Sequence, residues 1–420
     1  MVKSQLLLKT HLTKPQQVPK AKRKIINDPI YGFITINDPL LFFIIDHPWY
    51  QRLRRIYQMA LAQLVYPGAV HTRLHHSLGA YHLACLALTE LKNKNISITA
   101  EEELAVKCAV LLHDVGHGPF SHALENTLVP NVHHETISLE IMHELNKQCN
   151  GQLNTAISIF TNQYHKKFLH QLISGQLDVD RMDYLTRDSF YSGVSEGIIG
   201  YDRILKMLTV HEGQLMVEEK GLYSVEKFLV ARRLMYWQVY LHKTVLAAEK
   251  MIVKIVERAR EIFLQNDDKI KLNSALDYFF ESYTEMNNEA LSTFCLLDDV
   301  DVMFAIKKWS AHSDIVLSTL CKNLLNRKLY KTRLQTKPFS KKEIQERKKA
   351  VAKRYKISMQ EASYFIFSGQ TENITYQLKD ERINIISKNG KFSDISKVAD
   401  PLIHKTLSMP VKKFYICQLT

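Results

Sequence analysis

LLHDVGHGPFSH, residues 111–122, places three histidines and an aspartate directly after an apolar helical run. A packed core has little use for so much imidazole, because each buried ring needs a hydrogen-bond partner or loses its solvation without compensation. His113 and Asp114 fall at the expected end of the helix, and Gly116 and Gly118 free the backbone to turn so that neighbouring side chains converge. Imidazole nitrogen together with carboxylate oxygen suits Zn, Fe, Mn or Ni better than Ca. Standing alone, a His-Asp pair at a helix end is ordinarily a capping pair, with the imidazole facing the negative end of the dipole.

Two further stretches change that balance. HTRLHHSLG offers His71, Arg73, His75 and His76 at an expected helix start, and LDVDRMDYLTRD offers Asp178, Asp180, Asp183 and Asp188 interleaved with Arg181 and Arg187. In isolation the second run reads as a solvated helix face with i,i+3 and i,i+4 ion pairs. Working outward, Thr99 and Glu102 form a capping box for the helix that ends at His113, and Asp46 with Pro48 reads as the start of an earlier one. Helical periodicity covers about 134–148, 154–174, 198–210, 224–263, 273–287 and 300–327, and QLMVEEKGLYS interrupts it as an expected hairpin.

After about residue 328 the character changes. A Lys/Arg-rich tract at 327–356 precedes SYFIF, NITYQL and RINIISKNGKFSDI, where alternation and an Asn389-Gly390 turn signal strands. The organisation read from this is a flexible basic leader over 1–24, a helical domain over 25–327, and a basic tract with an α+β region over 328–420. A transit peptide is disfavoured for the leader because Arg23 is its only arginine. The fold class expected is mainly α, a helical core with a smaller α+β C-terminal region.

In this order and wording the three stretches, with HHETIS at 133–138, resemble the HD-domain phosphohydrolases, and within them the deoxynucleoside triphosphate triphosphohydrolases. The likeness runs from about Asn27 to Lys243 and fades in the last hundred residues. It implies one divalent transition metal (Mn, Fe, Zn or Ni) on His76, His113, Asp114 and Asp180, with Mg as an additional ion on the substrate phosphates. It implies His134 as acid or base, His117 and His122 beside the phosphates, and Arg73, Arg181 and Arg232 as a phosphate clamp, roles suited to an imidazole titrating near neutrality and to a guanidinium fork. Arg181 stands where Lys is common in the best-known animal member. Gln58, Tyr184, Asp188 and Tyr240 match positions around the deoxyribose. Each also has a plainer use: Tyr240 as core, Asp188 as half of a helix-end ion pair. Attack at the α-phosphate, giving deoxynucleoside and tripolyphosphate, is implied by the resemblance alone. A phosphodiesterase or nucleotidase of the same superfamily is the enzyme alternative, disfavoured because VGHGPFSH follows the His-Asp pair without a Gly-Tyr-Pro signature.

Composition limits the partners. The chain has 420 residues, 46% of them apolar, enough for large cores, and a formal charge of +13 with pI near 9.2 favours anionic partners. Its six cysteines lack any C-x-x-C pair, which argues against a zinc ribbon or a disulfide framework. No apolar run is long enough for a membrane span, so no membrane partner and a cytoplasmic location are expected. The resemblance adds a dNTP substrate, a homo-oligomer and a regulatory nucleotide at subunit interfaces. A nucleic-acid or nucleotide-binding regulatory module with a vestigial metal site is the other class. The tract at 327–356 supports it but is poor in aromatics for base stacking, and a solvated linker or oligomer surface is the expected use.

Overall fold

The computed structural model describes residues 23–377, 382–398 and 409–420. Of the basic leader, positions 1–22 therefore lie outside the described residues. The fold is mainly α, and among the described residues the strands form three small sheets. Three helices form the frame of the site: Arg73–Asn93, Ala100–Leu112 and Val179–Ser192, the first packing against both others. Thr72 and His75 close a capping box on the first, Thr99 and Glu102 do so on the second, and Asp178 caps the third by accepting from Arg181 N. Leu78, Leu83, Leu88, Leu111, Met182 and Leu185 on these helices are buried. Among the described residues no helix is long and apolar enough to cross a membrane.

An N-terminal hairpin, Lys24–Asp28 with Gly32–Ile36, lies against this frame. The helix expected at Asp46 and Pro48 differs in detail. Asp46 ends the helix Pro39–Asp46, and the ring of His47 caps Pro48–Gln51 by accepting from Trp49 N.

Long periodic stretches break where a cap or a left-handed residue intervenes. The pattern at 154–174 splits into Asn154–Phe160 and Lys167–Ile173 around Asn162, whose φ of 57° ends the first helix. The one at 224–263 divides into Leu222–Met235, a π-helical turn Tyr236–Tyr240, and Lys243–Leu264, restarted by the His242 ring. At 273–287 the helix is only Ala275–Glu281, and 300–327 becomes Asp299–Trp309 and Ile315–Leu325, with Asp314 capping the latter. The hairpin is real but shifted: Leu208–His211 pairs with Gln214–Glu218 across Glu212-Gly213, both at positive φ, so strand begins where helix was expected and helix resumes at Leu222.

The basic tract is folded rather than a linker. It forms strand Lys331–Gln335 and helix Lys341–Tyr355. The strand joins an antiparallel sheet whose centre is Val411–Gln418 and whose other edge is Ile366–Asn373. Asn384–Ile386 and Phe392–Asp394 pair around Gly390, and the former adds in parallel to Gln214–Glu218. Of the expected strand NITYQL, Asn373 ends the strand Ile366–Asn373, residues 374–377 are non-ladder backbone held by side chains, and Leu378 lies outside the described residues.

Candidate metal and phosphate site

The helix arrangement brings His76, His113, Asp114 and Asp180 to one point. His76 Nε2 lies 3.0 Å from Asp180 Oδ1 and 3.6 Å from Asp114 Oδ2, and His113 Nε2 lies 3.5 Å from each of Asp114 Oδ1 and Asp180 Oδ1. Both rings are oriented from behind. His76 Nδ1 is 2.8 Å from Asp183 Oδ2, and His113 Nδ1 donates to the Val110 carbonyl at 2.6 Å. A carbonyl oxygen only accepts, so a neutral His113 must carry its hydrogen on Nδ1 and turn a free Nε2 lone pair toward the cluster. Neither Nε2 makes a hydrogen bond, although both are buried. Two orphaned imidazole nitrogens facing two carboxylates fit a divalent cation bound by mixed N and O donors.

The electrostatics favour positive charge at this point. Burial disfavours a charged His76, yet the neighbouring Asp180 and Asp183 overcome it and raise its pKa to about 10. Asp180 is held well below the carboxylate range, because His113 and His76 outweigh its burial.

Behind the cluster, Asp183 accepts from Arg187 Nε and Nη2 at 3.0 Å each, and Arg187 Nη1 reaches Asp28 at 2.8 Å. Asp183 and Arg187 are both fully buried, so this part of the aspartate-rich run is not a solvated face. Gly79 makes room for it: a Cβ there would meet Asp183 Oδ1 at 2.0 Å and Arg187 Nη2 at 2.2 Å.

The loop after Asp114 carries the second half of the site. His117 and His134 stack with centroids 3.8 Å apart, and His122 meets both rings edge-on. Glu125 receives His134 Nδ1 at 2.9 Å and His134 N at 2.7 Å, and His122 Nδ1 lies 3.2 Å from its other oxygen. Despite partial burial, those contacts hold the Glu125 carboxyl well below its usual range. Burial, with Arg73 beside it, pushes His117 well below the usual histidine range, so it is neutral at pH 7.

Buried Arg73 contacts Asp114 Oδ2 through Nη1 and donates to Ser121 Oγ from Nε at 2.7 Å. Phe120 and Ser121 both adopt positive φ, 53° and 50°, a strained pair held by its surroundings. Asp299 accepts Phe120 N at 2.7 Å and Tyr57 N at 2.8 Å, and buried Arg52 donates to the carbonyls of Val115 and Leu297.

The positions matched to the sugar also gather. Tyr240 donates to Asp188 Oδ2 at 2.7 Å, His71 Nε2 lies 2.7 Å from Asp188 Oδ1, and Tyr184 stands edge-on to Tyr240. Asp188 is therefore bound to Tyr240 and His71 rather than to Arg187. Gln58 N donates to His71 O, and its Oε1 is buried without a partner. Arg181 is tied to Asp178 and to Gly175 O, and Arg232 Nη1 donates to Thr375 O at 2.9 Å. Both guanidinium charges act on the buried Tyr184 hydroxyl, whose pKa burial raises in spite of them. The sequence reading did not assign roles to Asp183, Arg187, Glu125, Ser121 or Asp299. Only the regular spacing of Asp183 and Arg187 behind Asp180, on one helix face, could have pointed to any of them.

The HD domain family matches residues 73–188, and the HD associated region matches residues 199–363. The crystal structure of a phosphohydrolase from Bacteroides thetaiotaomicron superposes with a TM-score of 0.91 at 48% identity, covering 95% of this chain and 100% of that one. Uncharacterized protein YwfO of Bacillus subtilis is 30% identical over 392 residues, 90% of this chain and 88% of its own length. Deoxynucleoside triphosphate triphosphohydrolase SAMHD1 of Gallus gallus is 30% identical over 312 residues. That match takes in 63% of this chain and 50% of the relative, so the chain spans half the length of the triphosphohydrolase it matches.

Proposed function

Because this chain belongs to the HD-domain phosphohydrolase family, we propose that its hydrolytic site cleaves deoxynucleoside triphosphates to deoxynucleoside and tripolyphosphate. The observation that carries the reading is the convergence of the unpartnered His76 and His113 Nε2 atoms on Asp114 and Asp180, beside Arg73 and the stacked His117 and His134. His76, His113, Asp114 and Asp180 would hold one divalent Mn, Fe, Zn or Ni ion. Such an ion supplies Lewis acidity toward a phosphoryl oxygen and lowers the pKa of bound water.

The chain's own residues do the rest. Arg73 presents a buried guanidinium to phosphate oxygens, and its link to Ser121 fixes the fork before substrate arrives. His134, held by the Glu125 carboxylate on Nδ1, has its remaining ring nitrogen available to move a proton at the scissile bond. Neutral His117, stacked on His134, can donate to a phosphate oxygen without adding a second imidazolium. Tyr240 and His71 fix the Asp188 carboxylate, which keeps lone pairs for a sugar hydroxyl. The pocket is suited to deoxyribose through Gln58, Tyr184, Asp188 and Tyr240.

We also propose a homo-oligomer with a regulatory nucleotide between subunits. Val300 and Phe304, four residues apart on the helix Asp299–Trp309, and Leu296 in the turn before it support a subunit contact, since each is about 60% exposed. Light scattering with and without nucleotides tests the assembly, and a monomer throughout would remove it. The activity is tested by assaying dNTPs, NTPs and phosphodiesters with Mg²⁺, Mn²⁺ and other divalent ions, resolving the products. Tripolyphosphate is expected. Cleavage of diesters alone would favour the phosphodiesterase reading, and salt-dependent nucleic-acid binding without turnover would favour a binding module.

A further inference from the structure

We propose that the segment Thr375–Gln377 is a strap that positions Arg232 for a phosphate, and that Gln176 fastens it; the proposal rests on the triphosphate reading above.

The side chain of Gln176, 9% exposed, donates from Nε2 to Gln377 O at 2.7 Å and accepts Gln377 N on Oε1 at 2.8 Å. Both halves of the amide thus bind one residue's backbone, and a flipped amide would set donor against donor and acceptor against acceptor. Two residues upstream, Thr375 O holds Arg232 Nη1 at 2.9 Å. On the Gln176 side of the clasp, Gly175 O holds Arg181 Nη1 at 2.5 Å and Gly175 N donates to Asp178 Oδ2 at 2.9 Å. The two arginines assigned to the phosphates are therefore each tied to a main-chain carbonyl, and the two carbonyl-bearing segments are joined through Gln176.

The strap is itself anchored. Tyr376 is fully buried, donates to Asp394 Oδ2 at 2.5 Å and accepts Ile383 N at 3.1 Å. Upstream, residues 366–373 pair with Val411–Gln418, and downstream Asn384–Ile386 pairs with Gln214–Glu218. Tyr376 and these ladders would suffice to hold the chain in place. They do not explain why the Thr375 carbonyl is turned to the guanidinium. A neutral carbonyl restrains that side chain without neutralising it, so Arg232 keeps its charge for phosphate while losing rotamer freedom before substrate binds.

Gln176 is a positioning residue on this reading, and a double-mutant cycle distinguishes it from a structural one. Gln176→Leu should raise KM for a dNTP roughly tenfold with kcat within about twofold, the size expected for losing one or two hydrogen bonds. In an Arg232→Ala background the same substitution should add less than about a twofold change. An undiminished tenfold effect in that background, or an unchanged KM in a folded Gln176→Leu protein, would overturn the proposal. If the leucine variant does not fold, Gln176→Asn, whose shorter amide cannot span both bonds, carries the same cycle. Calorimetric binding of inorganic tripolyphosphate to the full chain repeats the cycle without turnover. A wild type that hydrolyses no dNTP but shows the non-additive cycle with tripolyphosphate would sink the substrate reading and keep the strap. No tripolyphosphate binding by the wild type would overturn the strap.

Discussion

His76 Nδ1 and Asp183 Oδ2 are joined at 2.8 Å, which commits the other imidazole nitrogen to the side where Asp114 and Asp180 converge. Asp183 thus belongs to the candidate cation site although it does not face the point where His76, His113, Asp114 and Asp180 converge. Its charge is matched by Arg187, itself matched by Asp28, so the orientation of His76 depends on the N-terminal hairpin.

The consequence is a graded loss of metal. Asp114→Ala or His113→Ala removes a ligand and is expected to abolish bound metal and hydrolysis together. Asp183→Asn keeps an acceptor for His76 but loses the charge, and metal affinity should fall about 10–100-fold. Elemental analysis after dialysis against buffered metal, on protein shown to be folded by circular dichroism, measures both. Wild-type affinity in Asp183→Asn would remove Asp183 from this role.

The residue proposed to handle the proton, His134, should separate cleanly from the metal. His134 lies outside the metal cluster and is held by Glu125. His134→Ala is expected to lower kcat by roughly 10²–10⁴ while metal content stays at the wild-type level. Glu125→Gln leaves the imidazole present but poorly oriented, and its loss should be smaller than that of His134→Ala. Equal kcat in His134→Ala and wild type would assign the proton transfer elsewhere.

How much of this was legible in the sequence follows from the range of each interaction. His76, His113, Asp114 and Asp180 lie in short local motifs near helix ends, and it is the resemblance of those motifs to the HD-domain phosphohydrolases that implies their convergence. Arg187 meets Asp28 across 159 positions and Asp299 meets Phe120 across 179, and no local pattern encodes such pairs. Helix breaks at Asn162 and His242 were hidden because apolar periodicity runs on across them. NITYQL alternates as a strand does, but at 374–377 the Tyr376 hydroxyl is satisfied by Asp394 and the Gln377 backbone by Gln176, without a ladder. Strand Val411–Gln418 escaped notice because Phe414 to Cys417 form a continuous run rather than an alternating one.

Asp299 gives the fold a measurable pH dependence. Burial raises its pKa to about 7, although the N–H groups of Tyr57 and Phe120 act in the opposite direction. A carboxyl raised in the folded state binds its proton more tightly there than in the unfolded chain. Its contribution to stability is complete below about pH 4 and is lost as pH rises through about 7. Carboxyls held low by cations, such as Asp314 with Arg258, work in the other direction, so the comparison must be with a variant. Asp299→Asn should lower stability at pH 5, through one lost backbone contact, and flatten the further decline toward pH 8 by about 2–4 kcal/mol. Urea unfolding at both pH values reads the difference of slopes. Parallel slopes in wild type and variant would show that Asp299 does not titrate in this range.

Sugar selection tests the part of the site furthest from the metal. The Tyr240 hydroxyl stays protonated, since burial and the neighbouring Asp188 raise its pKa well above the usual value, and it donates to Asp188. With Asp188 and Gln58 binding the 3′-hydroxyl, the ring of Tyr240 would lie beside C2′ and leave no room for a ribose 2′-hydroxyl. Selection of this kind acts by a steric and desolvation cost to the wrong substrate, so shrinking the wall should relax preference more than it slows the right reaction. Tyr240→Phe removes the bond to Asp188 and keeps the wall; it should weaken kcat/KM for dNTP and NTP alike. Tyr240→Ala removes both, and the ratio of kcat/KM for matched dNTP and NTP should fall by at least about tenfold. The alanine variant must first be checked for folding, because truncating a half-buried aromatic on the π-helical turn can cost about 3 kcal/mol. A wild type that cleaves both sugars equally, or a folded Tyr240→Ala protein with undiminished preference, would dissolve the sugar pocket while leaving the metal site standing.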